Sequence, residues 1–230
     1  MDFITDSDVW GLLLTLAGFG FGTFLFWKTK AAWCNPLLLG SIFIMVFLSL
    51  CEIPYADYQE SASPLSYLLL PATVSLAIPL YEQLELLKRN FLAIFAGIAA
   101  GVLTSILCIV ALSWAFHLEY TYAVSLLPKS VTSAIGADVA MELGGVASLT
   151  IATIILTGIV GNILAYSLCK LLRVTEPIAK GVAIGTSAHA VATAKALEMG
   201  KVEGAMGSLA IAVSGILTAL LCPVFANFLP

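Results

Sequence analysis

Long apolar runs constrain this 230-residue chain more than any other feature of its sequence. Five of them approach or exceed the ~20 residues needed to cross the hydrocarbon core of a bilayer. They are Val9–Trp27, Pro36–Ile53, Phe91–Phe116, Ser148–Cys169 and Ala205–Leu229. Only 10% of the residues are charged, against about 25% in soluble domains. Because lipid offers the backbone no hydrogen-bond partner, such runs must be helical. The sequence therefore predicts an all-α, polytopic membrane protein.

The basic residues predict the direction of each span, because short cytoplasmic loops collect Lys and Arg. Lys28 and Lys30 follow the first run, which places the N-terminus outside. Lys88 and Arg89 follow a third stretch, Leu65–Tyr81, which is apolar but contains two prolines. The second and fourth spans end without a nearby Lys or Arg. This alternation predicts about six spans in total.

The segment 122–145 does not fit the alternation as an ordinary span. The next apolar run, Ser148–Cys169, ends beside Lys170 and Arg173, so it must start outside, where the fourth span has just ended. Residues 122–145 must then enter and leave the membrane on the outer side. They also carry charged side chains, which are costly at membrane depth unless they face protein or water. We therefore predict a re-entrant hairpin here.

The segment 177–200 presents the same problem on the other face. It begins near Lys180 and ends near Lys195 and Lys201, so both of its ends are predicted to be cytoplasmic. A second re-entrant hairpin would place the C-terminus outside. A broken helix that crosses the membrane fully is the alternative, and it would place the C-terminus inside.

These two segments also share a weak sequence echo, with Ser133-Ala134 and Ser187-Ala188 each preceding a short Glu-x-Gly sequence. The echo indicates either an internal repeat or only the composition of membrane segments. Inverted repeats that meet at the midplane through interrupted helices are common in secondary transporters. We predict one integral membrane domain, 1–230, with scaffold-like spans in 1–90 and a core in 91–230 that contains both interrupted segments.

The first interrupted segment contains a predicted helix start, Pro128 to Ser133. Pro suits the first helical turn, and Ser or Thr can cap free N–H groups. A helix N-terminus attracts anions through these groups and through its dipole, and Lys129 would add a full charge. This pattern predicts anion contact through Lys129, Ser130, Thr132 and Ser133. The alternative is that Lys129 extends to the headgroups while Ser130 merely caps the helix.

The second interrupted segment repeats this chemistry at Gly185 to His189. Thr186, His189 and Thr193 lie at i, i+3 and i+7, on one face of a helix, and Ser187 adds a second hydroxyl. Because an imidazole titrates near neutral pH, His189 is predicted to be a substrate ligand or a protonation site. A histidine that only packs in the protein interior is the alternative.

Other ionisable residues indicate coupling or structure rather than catalysis. Asp138 and Glu142 lie at i and i+4, so their carboxylates repel unless a proton or cation lies between them. That spacing suits ion coupling, although a hairpin that faces water explains it equally. Lys195 and Glu198 are predicted to form an ion pair. No arrangement of residues indicates an enzyme, a metal, a cofactor or a nucleic-acid surface, and the five cysteines show no CxxC spacing.

Several motifs together resemble the LrgB/CidB family of bacterial membrane proteins over nearly the whole chain. They are Asn35-Pro36-Leu37-Leu38, Tyr55 with Tyr58, Pro71-Ala72-Thr73-Val74, Pro79-Leu80-Tyr81, Leu127-Pro128-Lys129-Ser130-Val131-Thr132, Gly144-Gly145, Gly185-Thr186-Ser187 with His189, Thr193-Ala194-Lys195 and Glu203-Gly204-Ala205. The sequence departs from the family where Ala134, Ala192 and Lys195 replace proline, glycine and arginine. The departure at Lys195 removes a planar bidentate group for a carboxylate.

The resemblance implies two different functions. Bacterial members are named for murein hydrolase export and autolysis, as antiholin-like or holin-associated proteins of the inner membrane, and a smaller LrgA/CidA-type subunit usually accompanies them. Similar plant proteins move glycolate and glycerate across the chloroplast envelope, and other relatives are linked to pyruvate. We predict a multi-pass secondary carrier of such small monocarboxylates, with proton or cation coupling and with homo-oligomers as an option. Antiholin-like regulation of autolysis is the alternative.

The carrier prediction assigns a role to each candidate residue. The substrate-binding residues are Lys129, Ser130, Thr132, Ser133, Thr186, Ser187, His189 and Thr193, and the coupling residues are Asp138, Glu142 and His189. A carrier requires that the two interrupted segments meet near the middle of the membrane, whereas an antiholin needs only surfaces of small residues, such as Gly97–Gly101, that pack helices together.

Overall fold

A computed structural model describes residues 9–29, 36–68, 71, 74–75 and 77–230. Within these residues every regular element is an α-helix, and there is no strand. Four of the described helices are long and apolar enough to cross a membrane: Trp10–Thr29, Phe91–Ala115, Ala147–Leu171 and Lys201–Ala226. The prediction of an all-α, polytopic membrane protein is confirmed.

The helices of the described residues are numbered in chain order. They are α1 Trp10–Thr29, α2 Pro36–Leu50, α3 Tyr55–Ser61, α4 Ser63–Tyr67, α5 Ala77–Glu82, α6 Leu84–Arg89, α7 Phe91–Ala115, α8 Tyr120–Leu126, α9 Ser133–Glu142, α10 Ala147–Leu171, α11 Pro177–Met199 and α12 Lys201–Ala226. The predicted second span corresponds to α2, which has 15 residues. The predicted third span, Leu65–Tyr81, includes 69–70, 72–73 and 76, which lie outside the described residues.

The chain forms two compact units, Met1–Ser75 and Leu76–Pro230. In the first unit, α1 and α2 pack closely because glycines bring their backbones together: Gly18 lies against Gly40. The start of α1 is joined to α3 by a hydrogen bond from the Gly11 N–H to Ser61 Oγ, 3.2 Å long. The sequence-based division at residue 90 stays a prediction.

In the second unit, the first half of α11 runs parallel to α12. A Cβ on Gly181 would lie against the carbonyl oxygen of Glu203, and one on Gly185 would lie against that of Gly207. Because both residue numbers increase together, the two helices point the same way. Small residues at this contact allow the backbones to approach closely, as is common between helices in membranes.

The second half of α11 runs in the opposite direction. Its helical geometry is interrupted at Ala188 and His189. Beyond this break, Thr193 lies against Gly207 and Leu197 lies against Gly204. Residue numbers therefore rise along α11 as they fall along α12. The chain therefore turns back at the break, and both ends of α11 lie at the same end of α12. Residues 177–200 form a hairpin with both ends together, the geometry that the re-entrant prediction requires.

The neighbouring long helices fix the direction of the whole second unit. The first half of α11 is parallel to α7, because Val182 lies against Gly97 and Thr186 against Gly101. The second half of α11 is parallel to α10, where His189 contacts Gly158 and Ala192 lies near Gly161. Thus α7 and α12 run one way and α10 runs the other.

The first interrupted segment is also a hairpin, made of α8, a non-helical stretch at 127–132, and α9. It follows the end of α7 and precedes the start of α10, and these two termini lie at the same end of the unit. The Val146 N–H donates a 2.7 Å hydrogen bond to Ser125 Oγ, which ties α8 to the start of α10. Gly136 of α9 packs against Pro128 in the hairpin tip.

The two hairpins therefore enter the second unit from opposite ends. Arg89, Arg173 and Lys201 lie at the end from which α11 enters, and Glu119 lies at the other. Under the positive-inside rule the basic end is cytoplasmic. Each hairpin precedes a long helix, and the two hairpin–helix units run in opposite directions, as an inverted repeat requires.

Candidate functional site

A cleft of about 790 Å³ lies between α7, the tip of the first hairpin and the first half of α11. The cleft runs from Asn90 and Glu176, at the basic end of the unit and called its mouth here, to the hairpin tips, called its floor. The cleft is lined by Asn90, Ala93, Ile94, Gly97, Gly101, Thr104, Ser105, Cys108, Lys129, Ser130, Glu176, Ile178, Ala179, Val182, Ala183, Thr186 and Ser187. Apolar and small residues form its walls, while most of its polar side chains lie at the floor.

The two hairpin tips meet on the middle of α7. Ser130 Oγ of the first hairpin lies 3.1 Å from Ser105 Oγ, and Thr186 of the second hairpin lies against Gly101. Gly101 and Ser105 are four residues apart, about 6 Å along a helix axis, and both lie in the central part of this 25-residue helix. The tips are therefore neighbours at mid-depth, the arrangement that a carrier requires.

Lys129 supplies the positive charge at the floor of the cleft. Its Nζ donates a 2.9 Å hydrogen bond to Ser130 Oγ. Among the residues that the structure describes, no carboxylate lies within ion-pair distance of Lys129. The ion pair of the described residues joins Lys195 to Glu198 at 2.6 Å. An ammonium group has three N–H donors, so Lys129 retains donors and a charge that no carboxylate of the described residues balances.

Thr186 supplies a second unsatisfied group at the floor. Its side chain is only 4% exposed, and its Oγ1 has no hydrogen-bond partner among the described residues. A buried polar atom without a partner costs about 1–3 kcal/mol, and native proteins contain few of them. Such an atom in the same cleft as the Lys129 ammonium indicates a place for a ligand with hydrogen-bond acceptors.

Ser187 is the most open of the predicted hydroxyls. It also borders a smaller cleft of about 410 Å³ on the α10 side of the second hairpin, whose other lining residues are mainly apolar. Its Oγ donates a long hydrogen bond of 3.4 Å to the Ile184 carbonyl oxygen. Ser187 thus lies between two clefts, at the end of the first half of α11.

His189 and Thr193 do not line the cleft. His189 is buried, and its Nε2 lies 2.9 Å from the carbonyl oxygen of Ile154 on α10. Thr193 Oγ1 donates a 2.8 Å hydrogen bond to the His189 carbonyl oxygen. His189 has φ 44° and ψ −144°, a conformation that residues other than glycine rarely adopt. Both residues therefore hold the break in α11 and its attachment to α10.

The remaining predicted residues lie outside the cleft. Thr132 and Ser133 form the start of α9 and are half-buried, and Thr132 makes no capping hydrogen bond through its side chain. Asp138 and Glu142 are exposed on α9. The structure brings together Lys129, Ser130, Thr186 and Ser187 and separates the others from them. The described residues contain no cluster of His, Cys, Asp or Glu suited to a metal ion.

Sequence reasoning missed the contribution of α7. Thr104, Ser105 and Cys108 line the cleft together with Gly101, although the whole helix lies within a run that is typical of a plain span. The available signal was weak: adjacent hydroxyls in an apolar run, just after the Gly97–Gly101 sequence. Hydroxyls are common in membrane helices because they can bond to their own backbone, as Thr104 does to the Ala100 carbonyl oxygen at 2.7 Å.

Comparison with known proteins agrees with the motifs. Residues 15–228 match the LrgB-like family. The chain is 37% identical over 226 residues to the Antiholin-like protein LrgB of Bacillus subtilis (strain 168), which covers 98% of both chains. It is 33% identical, with the same coverage, to the protein of the same name from Bacillus cereus (strain B4264). No solved structure gives a significant match. The chain belongs to the LrgB-like family.

Proposed function

We propose that this protein is a carrier in the bacterial inner membrane for small monocarboxylates of the glycolate, glycerate or pyruvate type. One observation supports the proposal above the others: the two hairpins, which enter from opposite ends, bring Lys129 and Ser130 together with Thr186 and Ser187 at the floor of one cleft. Inverted hairpins that meet at mid-depth are typical of secondary transporters. The proposal makes the protein a transporter and not an enzyme.

The electrostatics of the floor favour a single negative charge in the ligand. Charged and polar groups at membrane depth are costly, and they persist there mainly for function. Lys129 has no carboxylate partner within the described part of the chain, and Thr186 Oγ1 has no hydrogen-bond partner there. A monocarboxylate would neutralise the ammonium and accept hydrogen bonds from both groups. This complementarity explains why these two groups lie together at the end of an otherwise apolar cleft.

Proton or cation coupling stays part of the proposal. Asp138 and Glu142 are one helical turn apart and exposed on α9, on the hairpin that carries Lys129. His189 is buried beside the break in α11. Coupling through these residues would act on the two hairpins rather than at the floor of the cleft.

Antiholin-like regulation of autolysis is the second candidate. The names of the similar Bacillus proteins favour this function over transport. It would involve a small LrgA/CidA-type membrane subunit or a homo-oligomer. In that case the floor of the cleft would have no part in the activity, since assembly depends on outer helix surfaces.

Uptake of labelled glycolate, glycerate and pyruvate into proteoliposomes tests the carrier. We expect saturable uptake that Lys129→Met reduces at least ten-fold and Lys129→Arg partly retains. Lys195→Met is the matched control, because Lys195 forms an ion pair with Glu198 away from the cleft, and its uptake should stay within two-fold of the unsubstituted protein. Equal uptake by Lys129→Met and Lys195→Met would refute the assigned site.

An autolysis assay separates the two candidates. If the cleft performs the function, Lys129→Met should abolish any effect of the protein on the lysis rate of a bacterial culture that expresses it. If the protein acts only as an antiholin, Lys129→Met should regulate lysis as well as the unsubstituted protein does, while proteoliposomes show no carboxylate uptake. The second result would replace the carrier proposal with the antiholin function.

A further inference from the structure

The cleft is much larger than its polar floor. Its volume of about 790 Å³ falls within the range of drug-sized ligand sites, about 300–1,000 Å³, whereas a two- or three-carbon acid would occupy only the region around Lys129 and Thr186. The remainder extends along α7 and the first half of α11 towards the mouth. From Thr186 back to Ile178 this path is about 12 Å long, at 1.5 Å per residue.

The walls along this path are apolar. Gly97 and Ala93 of α7 face Val182 and Ala179 of α11, and Ala183 lies on the same side. Thr104 also lines the cleft, but its hydroxyl hydrogen is already donated to the Ala100 carbonyl oxygen. A bare anion would leave these walls without a partner. An apolar substituent would cover them and gain about 25 cal/mol for each Å² removed from water.

The mouth lies at the basic end of the unit, where Glu176 lines the cleft at the N-terminal end of α11, about 15 Å from Thr186 along the helix. The second carboxylate of a six-carbon diacid would not reach that end and would lie against the apolar walls. An unpaired charge without hydrogen bonds is costly there. The floor therefore accepts one carboxylate, while the walls disfavour another.

We infer that the cleft binds monocarboxylates with an apolar tail, such as short fatty acids or branched 2-oxo acids, more tightly than the two- and three-carbon acids. The carboxylate lies at Lys129 and Thr186, and the tail extends along the surfaces of α7 and the first half of α11 towards Ile178. This inference rests on the proposed function and specifies the substrate class of the same site.

Direct binding to the purified full chain in lipid nanodiscs tests the inference. The ligands are acetate, butyrate, hexanoate and 4-methyl-2-oxopentanoate, with hexanol and adipate as controls. We expect affinity to rise about four-fold for each added methylene, the factor that corresponds to about 0.8 kcal/mol for each buried CH₂. Hexanol, which lacks the charge, and adipate, which carries two charges, should both bind at least ten-fold more weakly than hexanoate.

Substitutions distinguish contacts to the apolar tail of the ligand from contacts to its carboxylate. Ala183→Leu fills the wall, so we expect it to weaken hexanoate binding about ten-fold and acetate binding less than two-fold. Ala152→Leu is the matched control, because Ala152 is exposed on α10 and does not line the cleft. Lys129→Met should weaken the binding of all the acids.

Two sets of results would overturn the inference, and they differ from each other. Equal affinity for acetate and hexanoate, equal loss of both acids in Ala183→Leu, or hexanol binding as tight as that of hexanoate would refute the role of the tail but leave an anion site at Lys129. Failure of every acid to bind, or unchanged binding in Lys129→Met, would refute the proposed function itself.

Discussion

At the scale of single residues, Thr186 combines two properties that conflict in a purely structural role. Its side chain is buried, and its hydroxyl oxygen has no hydrogen-bond partner within the described residues. Its methyl group meanwhile packs against Gly101, so the shape of the residue is used even though its polarity is not. A hydroxyl kept at a cost to stability indicates a function that requires it.

Thr186→Val should therefore change stability and binding in opposite directions. Valine preserves the shape and removes the unsatisfied oxygen, so we expect the free energy of unfolding of the ligand-free protein to rise by about 1 kcal/mol. Carboxylate affinity should fall about ten-fold, or about 1.4 kcal/mol. Thermal unfolding in detergent and binding titrations measure the two effects, and Thr186→Ser should retain most of the affinity. A destabilised Thr186→Val variant with unchanged affinity would show that the hydroxyl is structural.

His189 is the second residue whose local geometry conflicts with its type. Its φ of 44° and ψ of −144° lie close to values that turns usually reserve for glycine. The imidazole fits because α10 has Gly158 beside it, where a Cβ would approach the His189 ring within 2.9 Å. The hydrogen bond to Ile154 thus fixes the tip of the second hairpin against α10.

This strain predicts an order of stability among variants at position 189. His189→Ala and His189→Gly both lose the hydrogen bond to Ile154, but only glycine adopts the observed backbone without strain. Because strained backbone of this kind costs about 1–3 kcal/mol, His189→Gly should be the more stable variant by about 1 kcal/mol. Thermal unfolding of both proteins in the same detergent measures the difference. His189→Ala at least as stable as His189→Gly would contradict the argument.

At the scale of helices, the contact between α11 and α12 explains how a hairpin fits into the membrane. Both halves of α11 pack against the same part of α12, and this is possible because small residues face one another. Gly185 lies against the backbone of Gly207, and Gly204 lies against Leu197. Dispersion contacts between closely approaching helices replace the hydrophobic driving force, which lipid removes.

Two glycine-to-alanine substitutions test this packing. An alanine Cβ at Gly185 would clash with the Gly207 carbonyl oxygen, whereas one at Gly97 would make an ordinary contact, 3.5 Å from Val182 Cγ1. We expect Gly185→Ala to lower the free energy of unfolding by about 2 kcal/mol through overpacking. Gly97→Ala should be neutral or slightly stabilising, because alanine is the better helix former. Equal effects of the two substitutions would contradict the close approach of α11 and α12.

At the scale of the whole molecule, the second unit alternates long helices and hairpins from α7 onward. In chain order these are α7, the first hairpin, α10, the second hairpin and α12. The 2.8 Å hydrogen bond from Trp114 Nε1 to the Phe228 carbonyl oxygen joins the final ends of α7 and α12, so these helices finish on the same side. The basic residues assign the opposite side to the cytoplasm.

Single cysteines labelled from one side of the membrane test this topology, in a background without the five native cysteines. Lys180→Cys and Lys201→Cys flank the second hairpin, and both should react with an impermeant maleimide only from the cytoplasmic side. Glu119→Cys and Asn227→Cys should react only from the other side. Labelling of Lys180→Cys and Lys201→Cys from opposite sides would show that 177–200 crosses the membrane.

The sequence alone predicts several residues of the cleft, but not the full set of residues that lines it. A helix start predicts Lys129, and the alignment with His189 and Thr193 on one helical face predicts Thr186; both residues line the cleft. His189 is predicted to be a substrate ligand or a protonation site because an imidazole titrates near neutral pH; in the structure its Nε2 lies against the Ile154 carbonyl oxygen, outside the cleft. Ser105 was not predicted, because two adjacent hydroxyls in an apolar helix give no periodic signal. Which side of a hairpin faces a cleft depends on the helices that pack against that hairpin.

The sequence by itself determined that this protein is helical and crosses a membrane. The cost of unsatisfied backbone groups in lipid leaves long apolar runs no other structure, and the basic residues set their direction. Only the tertiary structure decided that 177–200 turns back at Ala188 and His189, and that Ser130 and Thr186 meet on α7. Those outcomes depend on contacts between residues far apart in the chain, where the fit of Gly101 or Gly207 against its partner determines how near two backbones come.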